Sequence, residues 1–154
     1  MRIATYNING IVHRLPLLLD WLAETKPDIA CLQETKATDA QFPRDAIERA
    51  GNHAVFHGEA RWNGVAILSR TAPVPTRTAL PGDRADTQAR YIEAAVQGVL
   101  IGCLYLPNGN PWPGTKFDYK LAWMRRLLRH AATLHGVPAV RVGDYNVVPT
   151  AADI

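Results

Sequence analysis

Polar side chains that can act on a phosphate ester follow a β-branched run in residues 139–146, which read Ala-Val-Arg-Val-Gly-Asp-Tyr-Asn. Side chains two apart on extended backbone point the same way, so Asp144 and Asn146 can converge on one site. Gly143 allows the backbone to turn or to approach a ligand closely. A carboxylate that polarises water or holds a metal, beside a hydrogen-bond donor, suits attack on a phosphate ester. Taken by itself, the pattern is more often a simple Gly-Asp turn capped by Asn.

Three other apolar runs also end in distinctive polar residues, namely Asn7, Glu34 and the segment 105–108 (Tyr-Leu-Pro-Asn). Open sheets build sites from side chains at strand ends. Carboxylates and amides drawn from separate segments match the oxygen ligands that Mg²⁺ prefers. Glu34 can bind such a metal directly, while Asn7 can orient it or supply a further oxygen.

The remaining polar groups have roles that suit hydrolysis of a phosphate ester. Asp144 can orient or deprotonate the attacking water, and Asn146 can hydrogen-bond the charge that develops on the phosphate oxygens. Tyr105 offers a phenol that can reach a phosphate. Each residue also has an ordinary structural explanation: a turn for Asn7, an ion pair with Lys36 or Arg2 for Glu34, and a half-buried ring for Tyr105. Only their joint occurrence favours a site.

The first half of the chain predicts strand, helix and strand within about 30 residues, a βαβ-type unit or its antiparallel relative. The predicted strands are Ile3–Ile8 and Ile29–Leu32. Between them we expect a helix with Pro16 in its first turn, which Pro27 terminates. A short helix over 44–50 and strands over 53–57 and 65–69 follow.

Further along the chain, residues 71–88 are rich in Pro, Gly, Thr and Asp and predict a surface loop. Runs 92–96 and 100–106 predict a hairpin around Gly98, and a long helix runs from about Thr115 to His135. At three- and four-residue steps its expected apolar face is Phe117, Leu121, Met124, Leu128 and Ala131. The basic residues expected off that face are Lys116, Arg125, Arg126 and Arg129.

Composition is that of an ordinary single domain spanning residues 1–154, with 47% hydrophobic and 20% charged residues. The formal net charge of +3 is too small to decide for or against a polyanionic partner. No apolar run has the length of a signal peptide or membrane span, so the expected location is the cytoplasm, with no membrane partner. Cys31 and Cys103 lie inside apolar runs and are predicted to be small buried hydrophobic residues.

Five blocks of the sequence resemble, in order, the signature blocks of the endonuclease/exonuclease/phosphatase superfamily. They are residues 7–10 (Asn-Ile-Asn-Gly), 32–36 (Leu-Gln-Glu-Thr-Lys), 63–69 (Asn-Gly-Val-Ala-Ile-Leu-Ser), 105–109 (Tyr-Leu-Pro-Asn-Gly) and 143–146 (Gly-Asp-Tyr-Asn). Residues 81–83 (Pro-Gly-Asp), 88–90 (Gln-Ala-Arg) and 116–117 (Lys-Phe) resemble its exodeoxyribonuclease III branch.

This resemblance implies an α/β fold, a four-layer sandwich of the deoxyribonuclease I type, of which the chain holds roughly the first half. It implies a phosphodiesterase that depends on Mg²⁺, with Mn²⁺ as a substitute. Such enzymes act in DNA repair on double-stranded DNA: they cut 5′ to abasic sites and remove nucleotides from 3′ ends. The full-length protein is expected to be a monomer.

By family position, Tyr105 contacts the scissile phosphate, Asp144 activates water and Asn146 stabilises the transition state. The implied metal-binding residues are Asn7, Glu34, Asp144 and Asn146. The implied DNA contacts are Asn108 and Lys116.

Family members continue beyond the Asp144 strand and carry a terminal Asp-His pair, whereas none of the five histidines here has a Ser-Asp-His context. All five are expected to be surface or core residues. We therefore expect a C-terminally truncated part of a longer enzyme, weakly folded and inactive by itself. The alternatives are a phosphodiesterase of the same superfamily that acts on phosphates other than nucleic acids, or a non-catalytic DNA-binding remnant.

Overall fold

The computed structural model describes residues 1–150 and 152, which form eight strands and three helices. Among these residues, no helix combines the length and the apolar character needed to cross a membrane. In chain order the elements are β1 (Ile3–Asn7), α1 (Ile11–Thr25), β2 (Ile29–Gln33), α2 (Arg44–Arg49), β3 (His53–His57), β4 (Val65–Ser69), β5 (Val74–Arg77), β6 (Tyr91–Val96), β7 (Val99–Tyr105), α3 (Thr115–Thr133) and β8 (Ala139–Asp144).

The strands within residues 1–150 form two four-stranded mixed sheets. The first has the order β1-β2-β4-β3 and the second the order β5-β6-β7-β8. β1 runs parallel to β2, and β7 runs parallel to β8, while the other neighbouring pairs are antiparallel. The strand–helix–strand unit at the start of the chain is therefore the parallel βαβ form.

The side chains of β2 alternate between two hydrophobic cores and so show how the layers of the fold stack. Ile29 and Cys31 belong to the core between the two sheets, whereas Ala30 and Leu32 belong to the core that packs against α1 and α2. Successive side chains of a strand point to opposite faces, so a strand buried on both faces is apolar throughout. On the far side, Trp123 of α3 packs in the core outside the second sheet. The arrangement is the expected four-layer α/β sandwich.

Both cysteines lie in the core between the sheets and are free thiols, as predicted. Cys31 is on β2 of the first sheet, and Cys103 is on β7 of the second. The Cys103 thiol donates to the Leu32 carbonyl oxygen at 3.3 Å. The neighbouring Cys103 thiol and burial raise the pKa of Cys31, which keeps Cys31 in the role of a small apolar group.

Two elements differ from the sequence prediction because tertiary contacts decide them. α1 begins at Ile11, so Pro16 lies inside the helix and not in its first turn. The earlier start is held by Ile11, which is fully buried and whose N–H donates to the Thr35 carbonyl at 3.0 Å. β5 lies within the predicted loop 71–88. All its residues are exposed and Pro75 interrupts it, so it carries no hydrophobic alternation and forms the edge of its sheet.

The predicted apolar face of α3 is confirmed only in part: Met124 packs beside Trp123 and Leu127. Leu128 is 68% exposed, and the buried residues of this helix are Trp123, Arg126, Leu127 and His130. Two of these carry polar side chains, Arg126, which was expected off the apolar face, and His130, and each meets a carboxylate. Arg126 pairs with Asp86, and the His130 ring hydrogen-bonds to Glu93. A buried polar group is tolerated where it has such a partner.

Gly143 allows β8 to pack closely against the backbone of β7. A Cβ at this position would lie 1.9 Å from the Leu104 carbonyl oxygen. The same strand pair holds Tyr105 in register with Asp144. Because Gly143 has no side chain, β7 and β8 can lie close together next to Tyr105 and Asp144, where the candidate site begins.

We expect Gly143→Ala to lower the free energy of unfolding by about 2–4 kcal/mol, because β7 and β8 must separate to admit the methyl group. Urea unfolding followed by circular dichroism measures the change. Gly51→Ala is the matched control: Gly51 also has a positive φ, of 81°, but its Cβ would meet nothing within 4 Å. It should cost only about 1–2 kcal/mol of backbone strain. Equal losses in the two variants would contradict the steric explanation.

Candidate active site

The ends of β1 and β8, one from each sheet, meet through a single side-chain amide. Asn7 Nδ2 donates to Glu34 Oε1 at 2.9 Å and to Asp144 Oδ2 at 2.9 Å. Asn7 is in register with Gln33, the last residue of β2, so Glu34 follows directly beside it. Three of the sequence-predicted residues are thus in direct contact.

The loops that carry Asn7 and Glu34 are joined through their backbones. N–H groups of Ile8, Gly10 and Ile11 donate to the carbonyl oxygens of residues 33, 34 and 35 at 2.9, 2.8 and 3.0 Å. Asn7 Oδ1 accepts the Asn9 N–H at 3.2 Å. The amide nitrogen of Asn7 therefore faces the carboxylates, which favours the orienting role over the supply of an oxygen ligand.

Glu34 is held in its ionised form although it is largely covered, with 19% of its side chain exposed. Burial by itself would raise its pKa, but hydrogen bonds from Asn7, Lys36 and Tyr105 outweigh burial, and the pKa lies below its ordinary value. Lys36 Nζ lies 2.9 Å from Glu34 Oε2. The ion pair with Lys36 considered from the sequence exists, and it coexists with the contacts to the other site residues.

Tyr105 connects Glu34 with the Asp144 side of the site. Burial and the hydrogen bond to Glu34 raise its pKa to about 12, and its hydroxyl also bonds with Asn146. The phenol therefore keeps its proton at neutral pH and acts as a donor. A neutral donor beside an ionised carboxylate suits contact with a phosphate oxygen.

Asp144 and Asn146 converge as expected, but Asn146 has left-handed backbone (φ 47°) and not extended backbone. The Asn146 N–H donates to Asp144 Oδ1 at 2.8 Å, and its Nδ2 donates to the Leu106 carbonyl oxygen at 2.7 Å. Lys120 Nζ donates to the Asn146 carbonyl oxygen at 2.7 Å. These contacts fix the Asp144 carboxylate and the Asn146 amide on one side of the site.

Two adjoining clefts open from this cluster. One, of about 570 Å³, is lined by Glu34, Tyr105, Asn108 and Lys116. The other, of about 660 Å³, is lined by Asp144 and Asn146 and again by Asn108. Asn108 Nδ2 lies 3.5 Å from Asn146 Oδ1, at the limit of a hydrogen bond. The structure thus places both predicted DNA-contact residues on the walls of these clefts, where Lys116 is exposed.

Arg90 is a residue of this site that the sequence analysis did not select. Its guanidinium lies 4.9 Å from the centre of the Tyr105 ring, and its NH1 donates to the Tyr105 carbonyl oxygen at 3.3 Å. Arg90 also lines the cleft that contains Glu34 and Lys116. A signal was available, because Arg90 belongs to the Gln-Ala-Arg block of the resemblance.

The donor set of the site fits a hard divalent cation. Among the described residues, no group of three or more His, Cys, Asp and Glu gathers for a metal, but two carboxylates, Glu34 and Asp144, both contact Asn7. Mg²⁺ prefers oxygen ligands, and usually takes one or two carboxylates while it keeps water and binds substrate phosphate. The chemistry of these residues therefore fits Mg²⁺ better than a metal that needs nitrogen or sulfur.

Comparison with known proteins gives a consistent set of relatives. A family model described as the Endonuclease/Exonuclease/phosphatase family matches residues 4–154. Exodeoxyribonuclease III of Haemophilus influenzae is 32% identical over 162 residues, covering all of this chain and 60% of that protein. An exodeoxyribonuclease of Bacillus subtilis is 30% identical over 160 residues, covering all of this chain and 62% of that protein.

Solved structures of similar proteins agree in fold. The 3′ phosphatase NExo from Neisseria, bound to a product DNA hairpin, superimposes with a TM-score of 0.94 at 36% identity. The match covers 99% of this chain and 60% of that one. An AP endonuclease from Archaeoglobus fulgidus gives a TM-score of 0.90 at 37% identity, covering 98% of this chain and 59% of that one. The chain thus spans about three fifths of the length of these relatives.

We expect the stability of the wild-type chain to fall more steeply than that of Glu34→Gln as pH drops from about 5 to 3. Because the folded-state pKa of Glu34 lies below its ordinary value of 4.5, its ionised form stabilises the fold above that pH, and this contribution is lost on protonation. Urea unfolding at a series of pH values measures the slope. Glu24→Gln, at an exposed position of α1, controls for loss of a carboxylate; parallel curves for wild type and Glu34→Gln would contradict the prediction.

Proposed function

The chain belongs to the endonuclease/exonuclease/phosphatase family, and we propose that it forms part of a divalent-metal-dependent DNA-repair nuclease of the exodeoxyribonuclease III type. The observation that carries the proposal is the contact of Asn7 with both Glu34 and Asp144 at 2.9 Å. This carboxylate pair adjoins a cleft with a phenol donor, Tyr105, and a cation, Lys116, on its walls. Acid, donor and cation together are what hydrolysis of a phosphodiester requires.

The site residues divide the work of hydrolysis between them. Glu34 and Asp144 would hold Mg²⁺ or Mn²⁺, which supplies charge neutralisation for the phosphate oxygens when bound. Asp144 also orients the attacking water and accepts its proton, since the Asn7 amide and the Asn146 N–H hold its carboxylate in place. As negative charge grows on the phosphate, it can accept a hydrogen bond from the Tyr105 hydroxyl in place of Glu34, and one from the Asn146 Nδ2 proton that Leu106 does not use.

Double-stranded DNA is the substrate that the surroundings of the site support. Cations from separate segments, Lys116 and Arg90, line the cleft beside Glu34 and can meet successive phosphates of a strand. Trp62 lies on the same cleft and is 68% exposed, which offers a face for stacking on an unpaired base at the end or at a damaged site of a duplex. The relatives named as a 3′ phosphatase and as an AP endonuclease suggest 3′ ends and abasic sites as the targets.

We expect Asp144→Asn to reduce cleavage of an abasic-site duplex by about 10²- to 10⁴-fold in the protein that carries this sequence, because the variant cannot accept the proton of water. Binding of the same duplex should stay within about twofold, since the amide keeps the shape of the carboxylate. Gel analysis of labelled DNA with Mg²⁺, and fluorescence anisotropy with the uncleaved duplex, measure the two quantities. Loss of binding along with cleavage would show that Asp144 is structural.

Bis(p-nitrophenyl) phosphate provides the comparison with phosphodiesters that are not nucleic acids. If the protein cleaves the duplex in preference to the small ester, and its affinity for the duplex falls steeply as the salt concentration rises, the proposal is supported. If the protein hydrolyses the small ester but shows no salt-dependent DNA binding, its substrate is a small phosphodiester and not DNA. The same assays on residues 1–154 test the expectation that this segment is inactive by itself, which stays a prediction.

We expect Glu34→Ala to raise the Mg²⁺ concentration needed for half-maximal cleavage about tenfold or more, because it removes one of two carboxylates from the ion. A titration with MgCl₂ at fixed ionic strength measures the shift. Glu59→Ala is the control, since Glu59 lines the same cleft but its carboxylate bonds to Asn63 and to the Ala89 N–H. If Glu34→Ala needs the same Mg²⁺ concentration as wild type, Glu34 is not a metal ligand.

A further inference from the structure

A buried ion pair on α3 fastens this helix to the loop that leads to Arg90. Arg126 is 6% exposed, and its NH1 lies 2.7 Å from Asp86 Oδ2. Its NH2 donates to the Leu80 carbonyl oxygen at 2.7 Å, and its Nε donates to the Pro81 carbonyl oxygen at 3.2 Å. All three nitrogens of this guanidinium thus bond to the loop, which binds it far more specifically than a surface ion pair would.

From Asp86 the contacts continue toward the candidate active site. The Tyr119 hydroxyl donates to both Asp86 carboxylate oxygens, at 3.0 and 3.1 Å. The Gln88 N–H contacts Asp86 Oδ1 at 3.3 Å. Tyr119 and Gln88 both line the cleft that contains Glu34. One carboxylate therefore joins the helix, the loop and the wall of the cleft.

The last step of this path reaches Arg90. Gln88 Oε1 accepts a hydrogen bond from Arg90 Nε at 2.7 Å. On its other side the Arg90 guanidinium stacks on the Tyr105 ring, 4.9 Å from its centre. Arg90 is thus held between Gln88 and Tyr105. Gln88 in turn is held by Asp86 through its N–H and by Asn63, whose Nδ2 lies 3.4 Å from Gln88 Oε1.

We propose that Tyr119, Asp86 and Arg126 form a positioning cluster that holds Arg90 ready to contact a phosphate of the bound strand. The proposal rests on the proposed function, because its ligand is the nucleic-acid backbone. A free arginine side chain loses much rotamer freedom when it binds, and fixing it beforehand reduces that loss. None of the three residues was selected from the sequence as part of a site, and Arg126 itself lies away from the cleft.

A double-mutant cycle separates positioning from a purely structural role. The four proteins are wild type, Arg126→Met, Arg90→Ala and the double variant, each titrated with a labelled 20-base-pair duplex over a range of salt concentrations. Arg90→Ala should weaken binding about tenfold and reduce the salt slope by about one, as expected for one lost phosphate contact. Arg126→Met should weaken binding several-fold, and it should add nothing in the Arg90→Ala background.

Two further variants on α3 sharpen the comparison. Arg125→Met removes the same charge from an exposed position next to Arg126, and it should leave the affinity within about twofold. Tyr119→Phe keeps the ion pair and removes one hydroxyl, so it serves where Arg126→Met does not fold. Because Tyr119 also lines the cleft, the informative result is whether its effect vanishes in the Arg90→Ala background.

Additive losses in the Arg126→Met and Arg90→Ala pair, or in the Tyr119→Phe and Arg90→Ala pair, would overturn the positioning role. An equal loss in Arg125→Met would do the same, since it would show that only net charge matters. A wild-type protein without salt-dependent affinity for the duplex would instead refute the proposed function, before the cycle is measured.

Discussion

The amide of Asn7 is the contact on which the candidate site depends, because it joins two carboxylates that belong to different sheets. Glu34 follows β2 of the first sheet, and Asp144 ends β8 of the second, and both accept a hydrogen bond from the same nitrogen. Two carboxylates side by side repel each other unless donors or a cation offset their charge. Lys36 and Tyr105 contribute further donors to Glu34. The parallel pairs β1–β2 and β7–β8, with the close approach at Gly143, are the means by which the fold brings these groups together.

Much of the fold was predictable because burial on both faces of a strand leaves a plain signal. The continuous apolar run of β2 serves two cores at once, and so it identifies a central strand whichever neighbours it has. The start of α1 and the presence of β5 were not predictable in this way. Ile11 begins its helix because it is buried and bonded to the Thr35 carbonyl, and the exposed strand β5 exists because β6 is available to pair with it. Both outcomes depend on residues distant in the sequence.

The same limit explains which site residues the sequence predicted. Asn7, Glu34, Tyr105 and Asp144 could be selected because each follows an apolar run, and strand ends gather at one edge of a sheet. Arg90 does not follow an apolar run, and its side chain is oriented by Gln88 and the Tyr105 ring, so only the Gln-Ala-Arg block of the resemblance pointed to it. On α3, spacing alone did not identify Arg126 as a buried residue, because Arg126 and His130 are buried beside their partners Asp86 and Glu93. A hydropathy pattern describes a residue, not the partner that makes its burial tolerable.

Tyr105 is where the acidic and the basic parts of the site meet, and its two functional groups serve different neighbours. The hydroxyl bonds with Glu34 and Asn146, so it belongs to the group of residues that would act on the phosphate. The ring face lies under Arg90, so it also belongs to the wall that would hold the strand. Because one rigid side chain makes both contacts, the distance between Glu34 and the Arg90 guanidinium cannot vary freely. If the proposed function holds, a phosphate bound at Arg90 would therefore lie at a fixed distance from Glu34 and Asp144, as in-line attack by a water held at Asp144 would require.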